Sequence, residues 1–390
     1  MALTRIRLHF PRGLGVWVFC WGYAFSQSRR RRSLPAESWK SIEEKYCVGL
    51  HRDRMGKRQR SKRPAQREAK RAMKKARFGS KPKGAAAADD GMNAGDAEET
   101  REAMTKGMKL FEEYYAKQEV LAEEDLAEMV RVMKRPLPVA FRVCSLPSKK
   151  GEVDAAMREA ESLLDEAAAP RRVQGITVQP PVRHGWVKGG AWQLGCDDKI
   201  LRTEAKGGFD SELGKLHAWV AKHNGTGVIS RQEIASMIPV ALLGVSPSHE
   251  ILDLCASPGS KTTQALEDLC QGGEGLAGGG GGYIVANELV PTRAYVLARR
   301  CMTLGAAAQR MAVTCHRAQI FPGGAGGGGG GDGGGWDRII CDVPCSGDGT
   351  FRKYRDKWGH WLPHQGRALH SLQIQIALRA ASLLKVGNWV

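Results

Sequence analysis

Ile251-Leu252-Asp253-Leu254-Cys255-Ala256-Ser257-Pro258-Gly259-Ser260-Lys261, continued by Thr262-Thr263-Gln264-Ala265-Leu266-Glu267, decides the fold. An apolar run with one embedded acid has the pattern of a strand buried on both faces. Pro258-Gly259-Ser260 interrupts the run, and a helical pattern starts at once. Strand, glycine turn and helix form the opening unit of a doubly wound α/β sheet, in which small cofactors lie beyond the strand's carboxyl end. Gly259 lets a ligand approach the backbone, and the first N–H groups of the following helix favour a carboxylate or another anion.

A second stretch has the same character. Trp336-Asp337-Arg338-Ile339-Ile340-Cys341-Asp342-Val343-Pro344-Cys345-Ser346-Gly347-Asp348-Gly349-Thr350 is an apolar strand that ends in Asp, Pro and Cys before a Gly-rich loop. If both strands belong to one sheet, Asp342 and Cys345 come near the first turn. A thiol and a carboxylate beside a cofactor turn point to covalent or acid–base chemistry.

The two stretches together resemble the RNA (cytosine-5)-methyltransferases of the Sun-domain family, in particular its eukaryotic branch that modifies tRNA at several sites. Phe111-Glu112-Glu113-Tyr114-Tyr115, Arg135-Pro136-Leu137-Pro138 and Ile229-Ser230-Arg231-Gln232-Glu233-Ile234-Ala235-Ser236-Met237-Ile238-Pro239 match as well, and the matches keep the family's order. The resemblance implies a Rossmann-like class I S-adenosylmethionine-dependent methyltransferase fold with an incomplete sheet. A smaller α+β RNA-recognition domain and a disordered basic N-terminal tail are expected before it. The implied organisation is an uncertain extension or presequence over 1–54, a tail and linker over 55–104, an RNA-recognition region over 105–247 and a catalytic domain over 248–390.

The implied cofactor is S-adenosyl-L-methionine. Its contacts would come from Cys255, Ala256, Ser257, Pro258, Gly259, Ser260 and Lys261 after the first strand, Glu288 after the second, Arg317 after the third and Asp342 after the fourth. An acid at Glu288 can accept hydrogen bonds from ribose hydroxyls. At Arg317 the chain departs from the family, which places an Asp there against the adenine amino group. A guanidinium has only donors and cannot take that hydrogen bond.

The chemistry implied is methyl transfer to cytosine C5. That carbon is a poor nucleophile until a thiolate adds to C6 and makes the ring enamine-like. In the family the attacking cysteine lies in a Thr-Cys-Ser-like turn after the fifth strand. Here that turn would fall beyond Val390, so the chain is expected to be a C-terminally truncated piece. By position Cys345 is the second family cysteine, which assists product release. Asp342 would hold the cytosine edge, and Lys261 would lie near cofactor and base. A reading from another class is a non-catalytic RNA-binding protein, favoured by Arg317 and by the missing nucleophile.

Composition bounds these expectations. With 390 residues, 42% of them hydrophobic, the chain can bury a large core. Its net charge of +18 is uneven: residues 1–85 hold 24 Lys and Arg against 5 Asp and Glu, and the remainder holds 35 against 36. The basic character therefore belongs to a tail, and the folded part as a whole is not a basic nucleic-acid binder. Clusters such as Lys57-Arg58-Gln59-Arg60-Ser61-Lys62-Arg63 suit nuclear import or non-specific RNA contact. A nuclear or nucleolar monomer with RNA, foremost tRNA, as partner is expected. Import into an organelle is the alternative if residues 1–54 are translated. Leu14 to Phe25 is too short an apolar run for a membrane span. None of the ten cysteines forms a Cys-x-x-Cys pair, so no metal is expected and the thiols read as reduced.

Local patterns complete the reading. Ala85 to Thr100 reads as an acidic linker, with helices following through Phe111, Tyr114 and Tyr115 and through Leu126, Met129 and Val130. The three aromatics are expected to pack rather than stack on bases. Val139 to Val143 reads as extended, Val153 to Ala168 as a helix and Gly175 to Gly190 as irregular. Ser230 with Glu233 has capping-box spacing. Gly272–Gly282 and Gly323–Gly335 read as loops, and Gly366 to Leu384 as an amphipathic helix. Asn388-Trp389-Val390 reads as the start of a fifth strand. Arg352, Lys353, Arg355 and Lys357, interleaved with Trp358 and Trp361, fit either a nucleic-acid contact or a loop with half-buried indoles.

Overall fold

The computed structural model describes residues 6–9, 15–18, 94–166, 171–173, 176–206, 211–273, 280–323 and 335–389. The basic clusters of 52–83 and most of both glycine runs lie outside the described residues. Near the amino end, β1 (Ile6–His9) and β2 (Gly15–Val18) pair antiparallel. The next element, α1 (Ala94–Lys117), starts inside the stretch read as a linker. Glu98 and Glu99 near its amino end suit the positive pole of a helix, which composition alone does not reveal. The helix α2 (Glu123–Met133) opens on Glu123, Glu124 and Asp125 and ends ahead of Pro136.

An antiparallel sheet follows, in the order β4 (Arg171–Val173), β5 (Ile176–His184), β6 (Ala191–Asp197), β3 (Pro138–Val143), β7 (Ile229–Arg231). The strand β5 corrects the irregular reading of Gly175 to Gly190. Pro180-Pro181 sit where the β5–β6 register shifts between Gln179 and Val182, so no ladder N–H is demanded of them and the strand can form. One face of β3, carrying Val139, Phe141 and Val143, packs into a core with α3 (Lys150–Glu166), α4 (Asp198–Lys206) and α5 (Glu212–Thr226). Trp219 lies in that core and donates its indole N–H to the Ala156 carbonyl at 3.1 Å.

A second sheet is parallel throughout, with β8 (Glu250–Asp253) in the middle. β9 (Tyr283–Asn287) and then β10 (Met311–Thr314) lie on one side of it, and β11 (Trp336–Ile340) and then β12 (Leu384–Trp389) on the other. Numbered within the sheet this is 3-2-1-4-5, the Rossmann-like order with its switch point between β8 and β11. Ile251, Ile284 and Ile340 point to one face, against α6 (Ile234–Leu243) and α7 (Ser260–Leu269). Leu252, Val285 and Ile339 point to the other, against α9 (His364–Leu383). Burial on both faces explains the unbroken apolar runs. The helix α8 (Pro291–Met302) joins the first face through Leu297 and Cys301, which pack with Ala286 of β9. The strand β12 starts at Leu384, four residues before the expected Asn388, because α9 ends at Leu383 and yields directly to the strand.

The two sheets are joined through a buried ion pair. Arg142, on the face of β3 opposite Phe141, is 1% exposed and bonds Glu267 of α7, which is equally buried. Arg142 Nε also donates to Gln232 Oε1 at 3.3 Å and its Nη2 to Thr263 Oγ1 at 3.4 Å. Glu267 accepts a further bond from the Ser145 N–H at 3.1 Å. Buried charges need this density of partners, and removing one partner strands the other. Arg142→Leu is therefore expected to destabilise the fold by about 3 kcal/mol or more in denaturant unfolding. Arg142→Leu combined with Glu267→Leu should cost much less than the two single changes added together.

Candidate active site

The carboxyl end of β8 is fixed by hydrogen bonds to both neighbours: Leu254 N–H to the Ile340 carbonyl and Ala256 N–H to the Asn287 carbonyl, each 2.9 Å. Asp253 is buried beneath the turn and accepts a hydrogen bond from Thr262 Oγ1 at 2.7 Å, which ties the strand end to the first turn of α7. Gly259 has φ +98°, and a Cβ there would lie 2.9 Å from Leu297 Cδ1. Backbone conformation and the approach of α8 thus already require this glycine, before any ligand is considered.

Lys261, on that first turn, reaches across to the end of β11. Its ammonium lies 2.8 Å from Asp342 Oδ2 and 3.2 Å from Ser236 Oγ of α6. The sheet order therefore brings Lys261 and Asp342 together as expected. Cys345, three residues beyond Asp342, is exposed, and Gln373 anchors its segment by donating to the Pro344 carbonyl at 2.8 Å. Partial desolvation of the sulfur outweighs a bond from the Gly347 backbone and, with Asp342 and Asp348 nearby, holds this thiol above its ordinary value. Cys255 is more deeply set; burial, then Cys341 and Asp253, push its thiol far up, so it is no resting nucleophile.

Glu288 follows β9 and is 5% exposed. Its Oε1 accepts from the Val290 N–H at 2.9 Å, and its Oε2 lies 3.4 Å from Arg293 Nη2. Arg293 also donates to the Ser257 carbonyl at 3.0 Å, linking the first two strand ends. Sequence reading missed Arg293 and Asn287. The buried Asn287 side chain donates to the carbonyls of Leu254 and His316 and accepts from Thr314 Oγ1 and the His316 N–H, so it sets where the ends of β8, β9 and β10 stand. Only its place at a strand end hinted at this. Arg317, by contrast, is exposed just beyond β10, and its guanidinium has no hydrogen bond or ion pair among the described residues; only its carbonyl is bonded, to the Ile320 N–H at 3.1 Å.

Other expectations are corrected. Ser230 lies in β7 and accepts from Arg300 Nη2 at 2.9 Å, whereas α6 begins at Ile234 with Glu233 as its uncapped N-cap. The capping-box spacing is thus coincidental, since strand pairing with β3 claims Ser230. Ser230 and Arg231 line a cavity of about 200 Å³ with Thr263, Glu267, Arg300 and Thr303. Trp358 and Trp361 are fully buried rather than half-buried, packed with Phe351 against Phe111 of α1. Neither indole is free to stack on a base, and Phe111, Tyr114 and Tyr115 are packing residues as expected. A Cβ on Gly107 would lie 1.7 Å from the Trp358 carbonyl oxygen, which shows how closely α1 sits on this loop.

The family model for the 16S rRNA methyltransferase RsmB/F matches residues 240–390. The multisite-specific tRNA:(cytosine-C(5))-methyltransferase of Saccharomyces cerevisiae is 32% identical over 292 residues, covering 72% of this chain and 40% of that protein. The chain belongs to the RsmB/F (Sun-domain) methyltransferase family. A tRNA (cytosine(34)-C(5))-methyltransferase of Drosophila melanogaster is 32% identical over 71% of this chain and 37% of its own length. The chain thus spans about two fifths of the curated relatives it matches. Among solved structures, NSun6 from Pyrococcus horikoshii with SFG aligns at TM-score 0.49 and 14% identity, over 72% of this chain and 81% of that one. The RsmB/F match begins at Val240 inside α6 and takes in all five parallel strands. Among the described residues no cluster of three or more metal-ligating side chains occurs, and no helix is long and apolar enough to cross a membrane.

Burial raises the Asp253 carboxyl from 3.8 to about 7, against the Thr262 hydrogen bond that lowers it. Across that interval the folded chain holds a proton that the unfolded chain has released, so this group makes stability fall as pH rises. Asp253→Asn should flatten that slope. Unfolding midpoints of both proteins in urea, measured from pH 4.5 to 7.5, check it.

Proposed function

We propose that the chain carries the cofactor- and base-handling part of an S-adenosyl-L-methionine-dependent RNA cytosine-5 methyltransferase acting on tRNA. The observation that carries this reading is the Lys261–Asp342 pair beyond the carboxyl ends of β8 and β11, in a chain 32% identical to a tRNA cytosine-C5 methyltransferase. The donor set suits the cofactor at most strand ends. The first turn of α7 offers N–H groups to a carboxylate, and the buried Glu288 keeps lone pairs for hydroxyls. At the end of β10 the fit is poor, because Arg317 has no acceptor. When bound, the cofactor supplies an electrophilic methyl group.

The chain's own residues do the rest. Asp342 and Lys261 form an acceptor and donor pair able to hold the amidine edge of a cytosine. Cys345 stays protonated at neutral pH, which suits a proton carrier for product release and does not suit a resting thiolate. Attack on C6 belongs to the cysteine that the family places after the fifth strand. RNA affinity would come from phosphate contacts by groups such as Lys353 and Arg355 beside the site, because the neighbouring indoles are buried. Nuclear or nucleolar import through the Lys and Arg clusters of 52–83 belongs to the same reading.

The position of Arg317 favours a second reading, an RNA-binding protein that has lost its cofactor. Titration calorimetry with S-adenosyl-L-methionine decides between them. Binding that is weakened about tenfold by Lys261→Ala supports the enzyme; no binding at millimolar cofactor supports the second reading. Arg317→Asp is expected to tighten binding by about three- to tenfold, as one regained hydrogen bond would. Filter binding of tRNA and rRNA side by side separates the substrate classes.

A further inference from the structure

Lys261 is held by more than its carboxylate. Its side chain is 18% exposed, and the ammonium meets two acceptors, Asp342 at 2.8 Å and Ser236 Oγ at 3.2 Å. Asp342 is largely exposed, with 59% of its side chain open to solvent. Ser236 is fixed. Its N–H bonds the Glu233 carbonyl, and its own carbonyl accepts from Gln232 Nε2 at 3.2 Å. Gln232 is buried and bound on every side: backbone N–H to the Ala140 carbonyl of β3, side-chain oxygen to Arg142, and Nε2 also to Gln264 Oε1 at 2.9 Å. A hydroxyl near a helix start usually turns back to its own backbone. Here the Ser236 oxygen instead faces an ammonium from another helix.

We propose that Ser236 is a positioning residue for Lys261: its hydroxyl oxygen and Asp342 take two of the three ammonium N–H groups and leave the third directed at the bound substrate. Gln232 and Arg142 hold Ser236 in register, so the docking of the antiparallel sheet sets the direction of Lys261. The inference rests on the reading of Lys261 as a site residue, but its test needs neither methyl transfer nor cofactor.

The test is pulse acetylation of the full chain with acetic anhydride at pH 8, with the Lys261 peptide quantified by mass spectrometry against the other lysine peptides of the same digest. An acceptor bonded to an ammonium stabilises its charged, unreactive form. Ser236→Ala should therefore speed Lys261 acetylation about threefold or more relative to the other lysines. Ser236→Thr, which keeps the hydroxyl, should restore the slow rate. Ser236→Val, which has the shape of Thr without the hydroxyl, should stay fast, and this pair gives the comparison even if the alanine variant folds poorly. Asp342→Asn is the positive control. If Lys261 reacts at the wild-type rate in the Ala and Val variants while Asp342→Asn speeds it, or if no variant changes it, Ser236 does not position the ammonium. Loss of cofactor binding in calorimetry would sink the enzyme reading and leave this outcome standing on its own.

Discussion

The Arg142–Glu267 pair is the constraint on which the arrangement of both sheets depends. Each charge is almost fully withdrawn from water, and the attraction between them offsets that cost only because neighbours satisfy the remaining donors and lone pairs. Gln232, Thr263 and the Ser145 N–H do this, and they come from three different segments. An ion pair with this many fixed partners tolerates one docking of β3 on α7 and penalises its alternatives. Glu267 stands six residues after Lys261 on the same helix, a rise of about 9 Å. The contact that orients the antiparallel sheet therefore also orients the helix whose first turn carries the candidate site.

Much of the parallel sheet was legible because its physics is local. Strands buried on both faces must be apolar throughout, and the glycine turn after Asp253 has to carry a positive φ beside α8, so both leave marks in sequence. Arg142 left no such mark. One arginine in an apolar strand reads like an edge or surface residue, and its partner lies 125 positions away. The same reasoning covers β5, where Pro180-Pro181 hides a strand because the bulge that accommodates the prolines is a property of the pairing and not of the segment. Ser230 is the converse case. Its spacing to Glu233 matches a cap, but the ladder to β3 and the Arg300 guanidinium reach it first.

The candidate site divides in the same way. The approach of Lys261 and Asp342 follows from two strand ends meeting at a switch point, which motif order and the 3-2-1-4-5 sheet supply. The residues that hold those groups in place were not legible. Asn287, Arg293 and Ser236 act through backbone carbonyls and through partners on other elements, and such bonds have no sequence spacing to betray them.

Cys345 shows how far this dependence on distant elements extends. Its loop continues into Asp348, whose two carboxylate oxygens accept from Tyr115 Oη at 2.8 Å and from Trp361 Nε1 at 3.2 Å. Tyr115 belongs to α1, and the aromatic cluster of Phe111, Phe351, Trp358 and Trp361 clamps that helix onto the loop. Burying two indoles and two phenyl rings to hold one loop commits a large apolar area to a segment that contributes no strand. It makes sense if the loop must present Cys345 and its flanking cations in one conformation. The aromatics that look suited to stacking on bases are thus consumed in holding the Cys345 loop. In a folded part with nearly balanced charge, the proposed contact with a nucleic acid would fall to the few cations along that loop.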